Sequence, residues 1–120
     1  MALMAVVTPI LPGKTGEWRE FIAELNGPRS SEFKQSREEA GVHERTFFQT
    51  TPMGDLVIAT LEGDDPAAAF GQMTSSNSAF AAWFRERVQA VHGVDLTATP
   101  MVGSPSELVA DTDRVATPVG

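Results

Sequence analysis

The amino-acid sequence predicts an α+β fold with the element order strand, helix, strand, strand, helix, strand. Three observations support this prediction. Residues 2–8 form a short apolar run bounded by prolines, as expected of a buried strand. Residues 43–62, HERTFFQTTPMGDLVIATLE, contain two β-forming runs around a Thr-Pro-Met-Gly turn, and apolar residues at helical spacing lie before and after this hairpin. This is the order of a ferredoxin-like domain, βαββαβ, in which helices cover one face of a four-stranded antiparallel sheet.

The first half of the chain is predicted to contain one strand and two helices. Thr15 is the expected N-cap of the first helix. Its apolar face repeats at i, i+3, i+4 and i+7 and consists of Trp18, Phe21, Ile22 and Leu25. Pro28 should end this helix, because proline lacks an amide hydrogen and disfavours helical backbone in the residue before it. A more polar helix, SSEFKQSREEA, then runs to Gly41, which suits a left-handed C-cap.

The hairpin comes next, with predicted strands at residues 42–50 and 55–62 and Pro52 at the second position of a type I turn. If the loop contains an even number of residues, the opposing pairs are Gln49 with Leu56, Phe47 with Ile58, Arg45 with Thr60, and His43 with Glu62. These eight residues then share one face. The other face holds Glu44, Thr46, Phe48, Val57, Ala59 and Leu61. A loop of odd length would shift the pairing and mix the two faces.

The last part of the predicted domain contains a helical region and a fourth strand. Asp65 precedes a proline and is the expected N-cap of a helix. The polar stretch TSSNS interrupts this helix, which then resumes and ends at Gly93. Residues 94–100 are the predicted fourth strand. We therefore expect a domain at residues 1–98 and a C-terminal extension at residues 99–120 that packs on its own or a partner subunit.

The hairpin is apolar on both faces, which predicts that both faces are buried. Helices cover only one face of a ferredoxin-like sheet, and a bare face of this apolarity is uncommon on monomers. Two sheets packed face to face would bury both. The sequence therefore predicts a homodimer formed through the sheet.

Composition excludes several classes of site and partner. The chain has 120 residues, the size of one domain, and no cysteine, which excludes disulfides, thiolate nucleophiles and cysteine metal sites. The formal charge of −7, with nine scattered basic residues, argues against nucleic acid and anionic membranes as partners. No phosphate loop, zinc signature or signal-peptide pattern is present. We expect a cytoplasmic protein that needs no cofactor and binds no metal.

Three stretches carry a resemblance to a known superfamily: LPGKTGEWREFIAEL after the first strand, REEAGVHERTFFQ before the hairpin turn, and GDDPAAAFGQMTSSNSAFAAWF before the fourth strand. Over residues 2–98 the chain resembles the dimeric α/β barrel superfamily, which includes antibiotic-biosynthesis monooxygenases, stress-responsive A/B barrel proteins, EthD-like proteins and muconolactone isomerases. It is most similar to an uncharacterised branch. The resemblance implies a homodimer that binds a small, partly aromatic or polyketide-like molecule and acts as a cofactor-independent monooxygenase or isomerase.

The chain departs from this superfamily in two ways. Characterised members often carry a histidine shortly before the Phe of the second helix, and Thr74 or Asn77 stands at that place here. Tyrosine, which several relatives use, is absent from the whole chain. These departures favour the alternative of a non-catalytic ligand-binding or assembly module.

The candidate site residues lie mainly on one face of the hairpin. His43 is the candidate general base, Arg45 the candidate anion stabiliser, and Glu62 the residue that would orient His43. The candidate substrate-binding residues are Phe47, Gln49, Thr60, Glu62, Asn77 and Trp83. Cross-strand pairs of this kind are also common as solvated contacts, which is the structural alternative.

Two further features allow a structural or a functional interpretation. One is an aromatic set that either lines a cleft between helices and sheet, where the resemblance places a ligand, or simply forms core: Trp18, Phe21, Phe80, Trp83 and Phe84. The other is His92, at the end of the last helix, where an imidazolium would meet the helix dipole favourably. For His92 we favour the structural interpretation.

Overall fold

The computed structural model describes residues 2–96 and 106–113. Its elements are β1 (Ala2–Pro9), α1 (Thr15–Asn26), α2 (Ser30–Ala40), β2 (Val42–Thr51), β3 (Gly54–Gly63), α3 (Pro66–Ser75) and α4 (Ala79–His92). The strands form an antiparallel sheet in the order β1-β3-β2, and the helices pack on one of its faces. The described part of the chain is therefore a two-layer α+β structure.

The hairpin register agrees with the prediction for an even loop. Thr51 pairs with Gly54, so the loop contains only Pro52 and Met53, and all four predicted cross-strand pairs are present. Gly54 adopts φ 124°, a backbone conformation open to glycine but not to residues with a Cβ. The Thr51 hydroxyl donates to the Gly54 carbonyl at 2.6 Å and accepts from the Met53 amide at 3.2 Å. These contacts set the register and with it the composition of each sheet face.

The core lies between the helices and the inner face of the sheet, as predicted. Val57 and Leu61 of β3 are buried on that face, and Trp18 of α1 stacks on Phe48 of β2 with ring centroids 5.2 Å apart. Five other aromatic residues form one cluster among the helices: Phe21, Phe33, Phe80, Trp83 and Phe84. This arrangement fixes which side chains face the interior of the protomer.

The predicted helix ends are confirmed except for the start of α1. The Asp65 side chain accepts from the Ala68 amide at 3.1 Å, and Gly41 and Gly93 end α2 and α4 in left-handed conformations. Thr15, the predicted N-cap, is instead the first helical residue. Its hydroxyl donates to an Asp55 carboxylate oxygen at 2.6 Å, a charge-assisted hydrogen bond. The prediction of the cap was therefore wrong, and Thr15 instead ties α1 to β3.

The predicted fourth strand is not found where its first residues were expected. Residues 94–96 are outside any strand, and Val94 and Leu96 pack against the helical core instead. The rest of that prediction, residues 97–100, lies outside the described residues. The free edge of β1 is met by Ser106, whose amide donates to the Ala5 carbonyl at 2.7 Å. Within residues 2–96 and 106–113, the sheet has three strands.

None of the helices in the described ranges has the length and apolarity needed to cross a membrane.

Candidate functional site

A cavity of about 110 Å³ lies between the inner face of the sheet and the helices. Its walls are mainly apolar and include Val6, Phe21, Val57, Ala59, Leu61, Phe70, Phe84 and Val88. Its lining residues with a hydroxyl, charged or imidazole group are Thr8, Arg37, Glu44, Thr46 and His92. An engineered apolar cavity of about 150 Å³ takes up benzene, so this cavity is suited to a molecule with one small ring.

Arg37 and Glu44 form a buried ion pair at the cavity. Arg37 lies in the last turn of α2 and is 7% exposed, and its Nε donates to a Glu44 carboxylate oxygen at 2.7 Å. The other Glu44 oxygen accepts from the Thr46 hydroxyl at 3.1 Å, and Arg37 Nη1 donates to Ser36 at 2.9 Å. Arg37 Nη2 is buried and has no hydrogen-bond partner among the described residues. An unpaired buried donor costs about 1–3 kcal/mol, so a ligand oxygen that reached this atom would recover that cost.

His92 is the second functional residue of the cavity. It is the last residue of α4 and is 9% exposed, and its Nδ1 lies 2.9 Å from the Pro9 carbonyl oxygen. A carbonyl can only accept, so Nδ1 carries the hydrogen, and in the neutral ring Nε2 keeps its lone pair. Burial lowers the pKa of His92, and the bond to Pro9 opposes this only in part. Desolvation therefore favours the neutral ring over the imidazolium that a role on the helix dipole would require.

An open groove of about 460 Å³ lies beside the cavity, between the α1 and α2 helices and the start of β2. Leu25, Arg37 and Glu44 line both spaces, so these three side chains form part of the wall between them. His43 borders the groove and does not line the cavity. A ligand that entered through the groove would meet the ion pair before reaching the cavity.

The predicted site residues divide into two groups that lie on different parts of the protein. Six lie on the outer face of the sheet by register: His43, Arg45, Phe47, Gln49, Thr60 and Glu62. On that face Arg45 Nη1 lies 3.5 Å from a Glu62 carboxylate oxygen, so Glu62 forms its ion pair with Arg45. Asn77 is exposed between α3 and α4. Trp83 packs on Phe21 and has the Arg29 guanidinium 4.1 Å from its ring centroid. None of the eight lines the cavity.

Sequence reasoning missed the Arg37–Glu44 pair, although one signal pointed to it. The hairpin register placed Glu44 on the inner face, and a carboxylate there requires a cationic partner. The α2 helix reads as polar on most sides, so its pattern did not single out Arg37. Only packing shows that the guanidinium carbon of Arg37 lies 4.8 Å from the ring centroids of both Phe33 and Phe84.

Metal ligation has no support in residues 2–96 and 106–113, where no three His, Asp or Glu side chains group closely enough to hold an ion.

Comparisons with known proteins bear on the fold. No protein-family model matches the chain, and no curated protein matches it significantly. Among solved structures, the chain is similar to the crystal structure of L-rhamnose mutarotase FA22100 from Formosa agariphila, with a TM-score of 0.63 and 16% sequence identity over 92% of this chain and 98% of that one. At this identity the likeness concerns the fold alone, and it supports a ferredoxin-like α+β architecture.

Proposed function

We propose that the protein binds a small, partly aromatic molecule in the cavity between sheet and helices and isomerises it by cofactor-independent proton transfer. One observation carries this proposal: an apolar cavity is lined by a buried histidine whose neutral form is favoured. Apolar pockets with a few convergent polar groups are typical of small-molecule sites. A polyketide of several rings exceeds a cavity of about 110 Å³, so the ligand is a one-ring molecule.

His92 is the proton acceptor in this proposal. Its Nε2 lone pair takes a proton from an acidic carbon of the ligand, the C–H electron pair shifts to form an enolate, and the same proton returns to a different carbon. The Pro9 carbonyl fixes the ring and stabilises the transient imidazolium through Nδ1–H. The step consumes no co-reactant. The mutarotase neighbour supports this proposal only in that one protein of this fold is named as an isomerase-type enzyme.

The test uses cyclohex-3-en-1-one, a one-ring ketone whose conversion to the conjugated isomer is followed by ultraviolet absorbance. We expect wild type to accelerate this reaction, and His92→Asn to lose roughly 10²–10⁴-fold of the acceleration, the usual contribution of general acid–base catalysis. Asparagine keeps an N–H for the Pro9 carbonyl and removes Nε2. His43→Asn, measured beside it, decides between this base and the one predicted from sequence.

Each outcome of this test has a distinct meaning. One outcome is that the probe raises the melting temperature of wild type and His92→Asn and yet reacts equally fast with both. That result would show that the protein binds the probe and that His92 does not catalyse its isomerisation. A probe that produces no shift would contradict ligand binding in the cavity. Oxygen uptake in the same assay would point to the monooxygenase reaction that the resemblance implies.

The exposed face of the sheet favours a second function, that of a non-catalytic assembly module. Leu3, Val7 and Phe47 are 51%, 44% and 53% exposed on this one face. We propose that a second copy covers it, so that His43, Arg45, Gln49, Thr60 and Glu62 become contacts between subunits. We further propose that the C-terminal extension packs on its own subunit, beginning at the Ser106 contact with Ala5.

A further inference from the structure

We propose that Arg37 makes the cavity selective for molecules that carry an uncharged oxygen, such as phenols, enols and ketones, over hydrocarbons and carboxylates. This inference rests on the proposed binding in the cavity and names its ligand class. It concerns recognition and holds whether or not a reaction follows. Its basis is the position of one guanidinium group and the charges around it.

Arg37 has one nitrogen left to bond a ligand. Its Nε is used by Glu44 and its Nη1 by Ser36, whereas Nη2 has no partner among the described residues. The guanidinium carbon lies 4.8 Å from the ring centroids of Phe33 and Phe84, so the group is held between its ion pair and two aromatic rings. Reaching water would require breaking a buried bond of 2.7 Å. A ligand oxygen that accepts from Nη2 would satisfy this buried donor.

The charges lining the cavity favour an uncharged oxygen. Arg37 is already neutralised by Glu44, and burial favours the neutral form of His92. A carboxylate would add an uncompensated negative charge to a space with mainly apolar walls, and burying such a charge is costly. A phenol or enol avoids this cost, and its oxygen can accept from Arg37.

Three one-ring probes test this inference by calorimetric titration of the full-length protein: benzene, phenol and benzoate. We expect phenol to bind about tenfold more tightly than benzene, the gain of one hydrogen bond to a charged group, and benzoate to bind most weakly. An apolar cavity without available donors would give the opposite order for benzene and phenol, because phenol must lose its hydrogen bonds to water.

The Arg37→Lys variant tests whether the preference for phenol over benzene depends on Nη2. Lysine keeps a positive charge opposite Glu44 but has no second terminal nitrogen, so the advantage of phenol over benzene should fall about tenfold while benzene affinity is retained. Arg29→Lys is the matched control, since Arg29 also lies over an aromatic ring and beside a carboxylate, that of Glu24. It should leave the preference unchanged.

Three results would overturn the inference. Equal binding of benzene and phenol by wild type would remove the selectivity while leaving the cavity as a binding site. A phenol preference retained in Arg37→Lys would assign it to another residue. Absence of binding by all three probes would overturn both this inference and the proposed function. The order of the three probes on wild type stands as a test even if Arg37→Lys does not fold.

Discussion

Two arginine–glutamate pairs in this protein differ in burial, and this difference decides what each contributes to stability. In the Arg37–Glu44 pair both side chains are 8% exposed, whereas in the Arg45–Glu62 pair they are 50% and 38% exposed. Removing one member of a buried pair leaves an unpaired charge in the interior. Water solvates the remaining member of an exposed pair, so the exposed pair contributes little to the free energy of unfolding.

We expect Arg37→Met to lower the free energy of unfolding by about 3–5 kcal/mol, because it leaves the Glu44 carboxylate buried without a cation. Arg45→Met, the matched control, should cost at most about 1 kcal/mol. Urea denaturation of both variants measures the difference. Adding Glu44→Leu to Arg37→Met should recover part of the loss, since it removes the stranded charge. Equal losses for the two arginine variants would show that burial does not govern these pairs.

His92 makes stability depend on pH in a predictable direction. Burial lowers its pKa in the folded protein below the ordinary value of 6.5, so the unfolded chain takes up a proton first as the pH falls. This contribution is therefore fully present above about pH 6.5 and is lost as the pH falls toward the folded-state pKa. Between pH 7 and 5, we expect the unfolding free energy of His92→Asn to fall less steeply than that of wild type.

The chain contains one other histidine, which provides the control for this pH dependence. His43→Asn alters an exposed side chain of β2 and should keep the steepness of wild type. All other charged groups, including Glu44 at the cavity, are common to wild type and His92→Asn and cancel in the comparison. Parallel curves for wild type and His92→Asn would contradict the placement of a buried neutral imidazole.

At the scale of elements, the features that depend on local sequence pattern could be predicted from the sequence. Turn residues gave the hairpin register for a loop of even length, and capping signals gave the ends of α2, α3 and α4. Residues 94–96 were expected to begin a strand, but tertiary packing places Val94 and Leu96 against the helical core. The cavity depends on contacts between α2, α4 and β2, which no local pattern specifies. Arg37 and His92 were for this reason not among the predicted site residues.

Glycine-to-alanine changes at two positions should have opposite effects, because the local backbone differs. Gly54 in the hairpin turn has φ 124°, and Gly71 lies inside helix α3; a Cβ at either would meet no atom within 4 Å. Gly54→Ala should therefore lower stability by about 1–3 kcal/mol through backbone strain alone. Gly71→Ala should raise it by about 0.5–1 kcal/mol through helix propensity. Thermal and urea unfolding compare the two, and a gain for Gly54→Ala would contradict the two-residue turn.

At the scale of the whole molecule, the two faces of the sheet require different partners. The helices of the same chain cover the inner face. The outer face has exposed Leu3 and Val7 in β1 and exposed Phe47 in β2, and Ile58 of β3 lies between Val7 and Phe47 in the register. An apolar strip across three strands, bordered by the Arg45–Glu62 ion pair, is the kind of surface that a second identical sheet would bury.

Phe47→Asp tests the proposed homodimer, because it places a carboxylate at the β2 end of this apolar strip. We expect wild type to sediment as a dimer at micromolar concentration and the variant to dissociate at least about 30-fold more readily, the effect of losing roughly 2 kcal/mol at an interface contact. Met53→Asp is the control, since Met53 is 99% exposed at the hairpin tip and lies beyond the paired strands. A monomeric wild type would refute the dimer. Equal dissociation of Phe47→Asp and Met53→Asp would show that Phe47 does not lie in the dimer interface.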